Sequence, residues 1–205
     1  MAKALTYVFL ITHIDNITHI DKYGLARADS PSRNPDYVPI GDTVVIGVRG
    51  NRDVKGHKLN EYIPFYLGPR SPMLYVIQHG YNGVKRIEPE KIVYCIIRLA
   101  DISDSDKQCV FTDGHALSAL TNFYTKERLK AIDSIINYDD VYSSRWDSDT
   151  DLDLKRRKEA ELLIKDDLEP QYICGYVVYN EVTKQRLVDS GIPTDKIAVR
   201  PSYYF

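Results

Sequence analysis

The sequence contains few of the residues that would indicate a disulfide scaffold, a metal site or a membrane span. Its 205 residues include three cysteines, Cys95, Cys109 and Cys174, an odd number without the spacing of a metal site. We expect all three to be reduced thiols in or near the core of a cytoplasmic protein. No apolar run approaches the length of a membrane span, so no membrane partner is predicted. His, Asp and Glu residues also show no ligand spacing, so no metal is expected.

An excess of charge of one sign is also lacking. The chain has 27 basic and 29 acidic residues, a net charge of −2. Nucleic-acid-binding proteins are usually basic overall, so such a role would have to come from local patches. The amino-terminal stretch MAKALTYVFLITHID lacks a basic segment and a cleavage site, and we expect a first strand there rather than a signal peptide. The length and apolar content predict one α+β domain over residues 1–205.

Tyrosine is the residue type in surplus, with sixteen copies against five phenylalanines and one tryptophan. A tyrosine offers an apolar ring and a polar tip. The surplus is typical of half-buried strands, and it also suits a surface that stacks on bases.

Apolar runs and turn signals predict short strands, a few helices and two long loops. Strands are predicted at residues 5–12 and 91–99 and in the runs ELLI, YICGYVVY and KIAVRP. Helices are predicted from Asp15 or Asn16 to Gly24, over residues 115–138 and in EVTKQRLVDSG. The loops cover residues 27–60 and 139–158 and are rich in charge and tyrosine. Loops of this length often carry functional residues on a rigid scaffold.

A charge run meets an apolar run in KRRKEAELLI, residues 155–164. If residues 158–164 are extended, Glu159 and Glu161 share one face, whereas in a helix they lie about 200° apart. We favour a short strand. A carboxylate there could act as a general acid or base, or could stabilise a sugar cation. The alternative is a solvated charge run that ends at a strand.

Two other segments could bind a ligand. In VRGNRDVKG, Arg49 and Arg52 stand three apart among glycines, which suits a phosphate clamp, although a solvated loop has the same composition. His13 directly follows the first predicted strand, at the edge of the sheet where ligands often bind. A purely structural histidine is the alternative there.

The run PFYLGPRSPMLY places Tyr66, Arg70, Met73 and Tyr75 around a tight turn. Aromatic rings together with an arginine form a stacking surface for unpaired bases. A buried turn whose arginine forms a salt bridge is the alternative. His115 in FTDGHA lies on another turn, and the basic KRRK run could follow a phosphate backbone.

Taken in order, these segments resemble the DarT-type DNA ADP-ribosyltransferase toxins nearly from end to end. The resemblance rests on THIDN (12–16), YGL (23–25), NPDYVPIGD (34–42), IPFYLGPRSPMLYVI (63–77), FTDGHA (111–116), KRRKEAELL (155–163) and VRPSYYF. It implies an α+β, ADP-ribosyltransferase-like split β-sandwich with flanking helices. The implied activity is transfer of ADP-ribose from NAD to a base of single-stranded DNA, usually thymine and in some relatives guanine. It also implies a macrodomain-type antitoxin as partner.

The resemblance assigns roles to individual residues of this chain. It places the catalytic glutamate at Glu161 and the arginine that holds the NAD phosphates at Arg49, five positions before Val54. The implied NAD-binding residues also include Thr12, His13, Gly24 and Leu25. The implied DNA-binding residues are Tyr66, Arg70, Met73, His115, Lys155 and Arg156.

Two positions depart from the family pattern. The family has Gln-Ala-Glu where this chain has Glu-Ala-Glu, beginning at Glu159, and that carboxylate favours RNA or protein arginine as an alternative acceptor. Leu10 replaces a polar or basic residue next to the nicotinamide contact. It supports a second alternative, a nucleic-acid-binding module that has lost catalysis, and His13 is the residue that could compensate for it.

Overall fold

Short strands and helices alternate along the part of the chain that the computed structural model describes, residues 3–51, 53–54 and 56–205. The strands are β1 Tyr7–His13, β2 Asp53–Val54, β3 His57–Lys58, β4 Tyr62–Tyr66, β5 Ile92–Arg98, β6 Cys109–Thr112, β7 Phe123–Thr125, β8 Glu161–Lys165, β9 Ile173–Val178 and β10 Ile197–Val199. The α-helices are α1 Ile17–Tyr23, α2 Thr43–Asn51, α3 Pro72–His79, α4 Leu99–Asp104, α5 Tyr138–Tyr142, α6 Leu154–Lys158 and α7 Glu181–Asp189.

Eight of the described strands form one sheet in the order β10-β9-β5-β1-β4-β8-β6-β7. All neighbours are antiparallel except β10 and β9. Strand β1 pairs with β5 along its whole length, but within the described strands its register with β4 consists of the single pair Phe9 and Tyr66. The sheet therefore divides into two halves at this junction, which confirms the predicted α+β, split-sandwich fold.

Both faces of the central strands are buried. Alternate residues of β5 enter two different apolar clusters, with Val93 and Cys95 in one and Ile92 and Tyr94 in the other. Because strand side chains alternate between faces, the uninterrupted apolar run of β5 marks a strand that is covered on both sides. The two clusters fix the halves of the sheet and therefore the walls of the gap between them.

The predicted strands and the predicted helix in EVTKQRLVDSG agree with the structure. The prediction of two long loops was wrong in part. Helix α2 occupies nine residues of the 27–60 segment, and α5 and α6 lie in the 139–158 segment. The β-branched and glycine-rich sequence of α2 hides its helical character, because such residues have low helix propensity. Asp42 begins the helix by accepting the N–H of Val44 at 2.8 Å.

The predicted helix over residues 115–138 was also wrong. That segment contains β7 and a 3₁₀ stretch, Lys126–Ser134. Its buried residues Leu129 and Ile132 stand three apart, a spacing that fits three residues per turn as well as an α-helix. The sequence pattern could not separate the two.

The prediction for one of the three cysteines was also wrong. Cys95 and Cys109 are buried, as predicted, whereas Cys174 is exposed. The register shift between Ile96 and Ile97, opposite β9, leaves Cys174 outside the core. Arg52, the second arginine of the predicted phosphate clamp, lies outside the described residues. None of the described helices combines the length and the apolar character that crossing a membrane would need.

Candidate active site

The division between the two halves of the sheet opens into a cleft of about 290 Å³. Strands β1 and β4, the 26–42 segment and helices α2 and α3 form its walls. Six residues singled out from the sequence line it: Leu10, Arg49, Tyr66, Met73, His115 and Glu161. A more open depression of about 610 Å³, at Lys3 and residues 133–139, contains none of them. The cleft is therefore the place where the predicted chemistry could occur.

A buried ion pair joins Arg49 on α2 to Glu161, the first residue of β8. Nη1 of Arg49 donates to Oε1 of Glu161 at 3.2 Å, and Nη2 lies 2.9 Å from Oε2. The side chains are 13% and 2% exposed, respectively. Burial alone would lower the pKa of Arg49, but the charge of Glu161 and its hydrogen bond raise it. The guanidinium of Arg49 is therefore charged at neutral pH, in a site largely closed to water.

The second guanidinium nitrogen has an unused donor. Nη2 of Arg49 forms an ion pair with Oε2 of Glu161 at 2.9 Å, but it forms no hydrogen bond within the described part of the chain. A buried donor without an acceptor is costly unless a bound group completes it. Arg49 can therefore hold Glu161 and still donate to a further anion or hydroxyl.

The FTDGHA turn fixes the carboxylate and main chain of Glu161. The main-chain N–H of Ala116 donates to Oε1 at 2.9 Å. The N–H of Glu161 donates to Oγ1 of Thr112 at 3.0 Å, and that hydroxyl donates to the carbonyl of Gly114 at 2.7 Å. The carboxylate thus has two donors, Arg49 and Ala116, that set its direction. Sequence reasoning missed Thr112 and Ala116, since main-chain donors leave no residue signature.

Arg156 holds this turn in place. It forms a two-point contact with Asp153, at 2.7 Å for each nitrogen, and its Nη1 donates to the carboxylate of Asp113 at 2.9 Å. Its carbonyl accepts the N–H of His115 at 3.1 Å. A Cβ on Gly114 would lie 2.9 Å from the main-chain carbonyl oxygen of Arg156, so the close approach needs glycine. The guanidinium is occupied inside the protein, whereas its neighbour Lys155 is exposed.

Glu159 and Lys158 are two partly or fully buried charges just before β8. Glu159 directly follows helix α6, and the strand begins only at Glu161. The prediction that Glu159 and Glu161 share one strand face over 158–164 was therefore wrong.

Burial raises the pKa of Glu159 to about 7, and the charge of Glu161 adds to the shift. Burial, with help from the charge of Arg70, lowers the pKa of Lys158 to about 7. Nζ of Lys158 donates to two main-chain carbonyls, those of Pro69 at 2.7 Å and Val141 at 2.6 Å.

Tyr66 and Arg70 begin and end the tight turn predicted from PFYLGPRSPMLY. Tyr66 is the register partner of Glu161 across β4 and β8, and burial followed by the charges of Glu159 and Glu161 raises its pKa well above its usual range. Arg70 has a left-handed backbone with φ of 56°, and its guanidinium lies 4.6 Å from the centre of the Phe205 ring. Its Nε is buried without a hydrogen-bond partner among the described residues. Arg70 forms no ion pair in the described part of the chain, which argues against the salt-bridge alternative for this residue.

The four residues implied as NAD contacts on the first strand and helix do not line the cleft. Thr12 is fully buried and accepts the side-chain N–H of Asn16 at 2.9 Å. Nδ1 of His13 accepts the N–H of Asp15 at 3.3 Å, and burial lowers the pKa of His13. At the end of α1, Gly24 has φ of +86°, and a Cβ there would lie 2.1 Å from the Leu168 carbonyl. The N–H of Leu25 donates to that same carbonyl.

Arg33 and Tyr37 line the cleft from the 27–42 segment and were not singled out from the sequence. The guanidinium of Arg33 lies 4.7 Å from the centre of the Tyr37 ring. Oη of Tyr37 lies 3.4 Å from Oγ1 of Thr12, and Asn16 exchanges two hydrogen bonds with Val38. These contacts hold the segment over the end of β1. Its Asn-Pro-Asp-Tyr sequence was the available signal.

The divided sheet, and a cleft that contains a buried glutamate held by an arginine, together define an ADP-ribosyltransferase domain. Two solved structures support that class. The DarT of Thermus sp. 2.9 in complex with ADP-ribosylated ssDNA has a TM-score of 0.83 at 25% identity, with all of both chains covered. The same protein in complex with NAD⁺ has a TM-score of 0.78 at 24% identity, again with full coverage, and shows the fold.

Sequence comparisons identify the family. Residues 9–205 match the family described as ssDNA thymidine ADP-ribosyltransferase, DarT. A DNA ADP-ribosyl transferase from Escherichia coli O127:H6 is 34% identical over 189 residues, which cover 90% of this chain and 84% of that one. A DNA ADP-ribosyl transferase–DNA ADP-ribosyl glycohydrolase fusion protein from Thermosipho africanus is 28% identical and covers 97% of this chain and 49% of the fusion. The chain belongs to the DarT family, which confirms the resemblance seen in its sequence.

Proposed function

We propose that this chain, an NAD-dependent DNA ADP-ribosyltransferase, modifies thymine in single-stranded DNA. The observation that carries the proposal is the buried pair of Arg49 and Glu161 in the cleft of the divided sheet. The family description names thymidine, and the matched Thermus structure contains ADP-ribosylated ssDNA. A base must be unstacked before it can enter a cleft, and unstacking costs least in a single strand.

Glu161 would stabilise the positive charge that develops on the ribose. When the bond between C1′ and nicotinamide breaks, the bonding electron pair leaves with the nicotinamide, and the sugar becomes cation-like. A carboxylate aimed by Arg49 and the N–H of Ala116 can accept the ribose 2′-hydroxyl hydrogen bond and offset that charge. The new bond forms between C1′ and the base, which releases a proton. Charges that are fixed in a site closed to water usually make the largest contribution to stabilising the transition state.

Arg49 would contribute at a second point. Its buried Nη2 has no hydrogen-bond acceptor within the described chain, so it can donate to an oxygen of the NAD pyrophosphate while Nη1 stays on Glu161. One guanidinium would then link the dinucleotide to the catalytic carboxylate. The resemblance also implies Thr12 and His13 near the nicotinamide and Gly24 and Leu25 beside the nucleotide, although none of the four lines the cleft.

The DNA-binding residues would act in two different ways. Tyr66, Met73 and His115 line the cleft and would contact the entering base. Lys155 is exposed and would bind phosphates, whereas Arg156 would act through the turn that it supports. Arg70, with its buried Nε unpaired among the described residues, would orient the neighbouring nucleotide.

One feature favours a second acceptor class. Glu159 is a carboxylate two residues before Glu161, mostly buried, and its pKa is raised to about 7. A carboxylate with such a pKa can take a proton from an acceptor near neutral pH. Guanine, RNA or protein arginine would then be the target in place of thymine.

A relative supports a proposal about the biological setting. The Thermosipho africanus protein joins a DNA ADP-ribosyl transferase to a DNA ADP-ribosyl glycohydrolase in one chain. We propose that residues 1–205 form one transferase domain that acts as a cytoplasmic toxin, and that a macrodomain-type antitoxin removes its product.

Mass spectrometry of short oligonucleotides after incubation with protein and NAD tests the acceptor. Strands that contain one thymine or one guanine in an otherwise adenine background should be compared with RNA and with arginine-rich protein. The expected result is one ADP-ribose added to the thymine strand. Modification of guanine, RNA or protein alone would refute the thymine assignment. Glu161→Gln should show no product and serves as the control for non-enzymatic labelling.

A further inference from the structure

Five ring side chains form a connected surface beside the tight turn that carries Arg70. They are Tyr75, His79, Tyr81, Trp146 and Phe205, and we call them the aromatic platform. Tyr75 contacts the other four rings, with centroids 4.0 Å from His79, 5.6 Å from Tyr81, 5.4 Å from Trp146 and 5.1 Å from Phe205. His79 and Tyr81 are stacked, with an interplanar angle of 10°. Three separate segments of the chain therefore converge on one ring cluster.

The platform is partly open to solvent. Tyr81 is 49% exposed and His79 is also exposed, while Trp146 and Phe205 are half-buried. Rings of this size are normally buried when their role is only to fill a core. A stacked and exposed pair with nearly parallel planes presents a flat face to another planar group.

Basic groups flank the platform on several sides. The guanidinium of Arg70 lies over Phe205, the exposed Arg145 precedes Trp146, and Arg86 packs against Gly80 beside His79. Two acidic residues are also near. Asp147 acts on Tyr75 electrostatically, and Glu88 forms an exposed ion pair with Arg86. Aromatic faces between arginines are the composition that binds unpaired bases and their phosphates.

Helix α3 connects the platform to the cleft. Met73 and Ile77 line the cleft. Tyr75 and His79 follow each of them by two positions and belong to the platform. Arg70 lies on the turn before this helix and contacts Phe205. Helix α3 and the Arg70 turn therefore contribute residues to both the cleft and the platform, and a strand with one base in the cleft would reach the platform past Arg70.

We propose that the aromatic platform stacks unpaired bases of the DNA strand on one side of the modified base. This inference rests on the proposed function, and it adds a second contact region outside the catalytic cleft. Stacking needs only the face of a base, so the platform would increase affinity with little dependence on sequence. Duplex DNA, whose bases are already stacked on each other, would gain nothing from it.

The only tryptophan of the chain lies in the platform and gives a direct signal. In the absence of NAD, titration with an oligothymidine of about 16 nucleotides should quench the Trp146 fluorescence, whereas one of about 4 nucleotides should not, since it occupies the cleft alone. A duplex of the longer length should also fail to quench it. Unchanged fluorescence with the longer single strand would overturn the proposal, and so would equal quenching by the duplex.

Two exposed ring substitutions test the contribution to binding. Tyr81→Ala and His79→Ala should each weaken binding of the longer strand by about 5-fold to 100-fold, the loss expected for one stacked base. Tyr23→Ala is the matched control, because Tyr23 is 59% exposed and contacts His19 in a similar pair on α1, at a ring distance of 4.7 Å. Equal weakening by the control would show that the platform has no special role.

The short strand separates this inference from the proposed function. ADP-ribosylation of an oligonucleotide of about 4 nucleotides should proceed at the same rate in wild type, Tyr81→Ala and His79→Ala. Modification of the short strand without any advantage for the longer one would leave the proposed function intact and refute the platform. No modification of either strand would refute the proposed function itself. Thermal unfolding of each variant checks that the fold is retained.

Discussion

Arg49 and Glu161 are 112 positions apart in the sequence and meet in a buried two-point contact, at 3.2 Å and 2.9 Å. The arginine comes from helix α2 and the glutamate from the first position of β8. Neither element can form the site alone, because each supplies one charge whose burial is tolerated only beside the other. The pair thus connects the stability of the cleft to its chemistry.

Replacement of Arg49 by lysine should therefore reduce activity more than stability. Lysine keeps the positive charge, but it cannot contact both carboxylate oxygens and a phosphate from one planar group. We expect the rate of ADP-ribose transfer to fall by about 10²-fold, as for the loss of one preorganised donor. Steady-state labelling with NAD measures this change.

Arg49→Met should destabilise the protein more than Arg49→Lys, since it leaves Glu161 buried without its partner. The free energy of unfolding should fall by about 3–5 kcal/mol. Arg98→Lys, at an exposed arginine on β5, is the control and should change neither quantity. Wild-type activity in Arg49→Lys would contradict a role for the guanidinium geometry.

The pH dependence of stability should show a minimum near pH 7. The pKa of Glu159 is raised from 4.5 to about 7, so the folded protein binds more protons in that window and loses stability as the pH rises. The pKa of Lys158 is lowered from 10.5 to about 7, so stability returns between pH 7 and 10.5. At 1.36 kcal/mol per pKa unit, the acidic limb should amount to about 3 kcal/mol and the alkaline limb to about 5 kcal/mol in chemical denaturation.

Single substitutions should remove the two limbs one at a time. Glu159→Gln should flatten the acidic limb, and Lys158→Met the alkaline one. Lys130→Met, at an exposed lysine, should leave both unchanged. A stability profile without a minimum would show that one or both groups titrate normally in the folded protein.

Two glycines should respond oppositely to alanine. A Cβ on Gly68 would lie 2.0 Å from the carbonyl oxygen of Val141, which is main chain and cannot rotate away. We expect Gly68→Ala to lower the free energy of unfolding by about 3 kcal/mol. At Gly47, inside helix α2, nothing lies within 4 Å of the added Cβ, so alanine should stabilise by about 0.5–1 kcal/mol. Thermal unfolding of the two variants gives the comparison.

Lys155 and Arg156 are neighbours in the sequence but should affect different measurements. Lys155→Ala should lower the slope of log affinity for DNA against log salt by about one, and leave the melting temperature unchanged. Arg156→Ala should lower the melting temperature and the transfer rate, because it releases the turn that positions Ala116 and Glu161. A salt slope that falls only in Arg156→Ala would reverse the assignment.

Several parts of the fold follow from local chemistry alone. The apolar runs of β1, β5 and β9 are short and rich in β-branched residues, and the sequence places these strands and the leucine-rich β8 correctly. Helix α2 and the 3₁₀ stretch Lys126–Ser134 were missed for local reasons as well. Glycine and β-branched residues concealed the first, and a three-residue apolar spacing imitated an α-helix in the second.

The sequence by itself determined strands β1, β5, β8, β9 and β10, the motif order of the family and the identity of Glu161 as the candidate carboxylate, since these depend on residue type and spacing. Only the tertiary structure decided what Glu161 contacts. The main-chain N–H of Ala116, the guanidinium of Arg49 and the opposing Tyr66 arrive from segments far apart in the chain. Long-range packing of the two sheet halves brings them together, and no local preference encodes that contact.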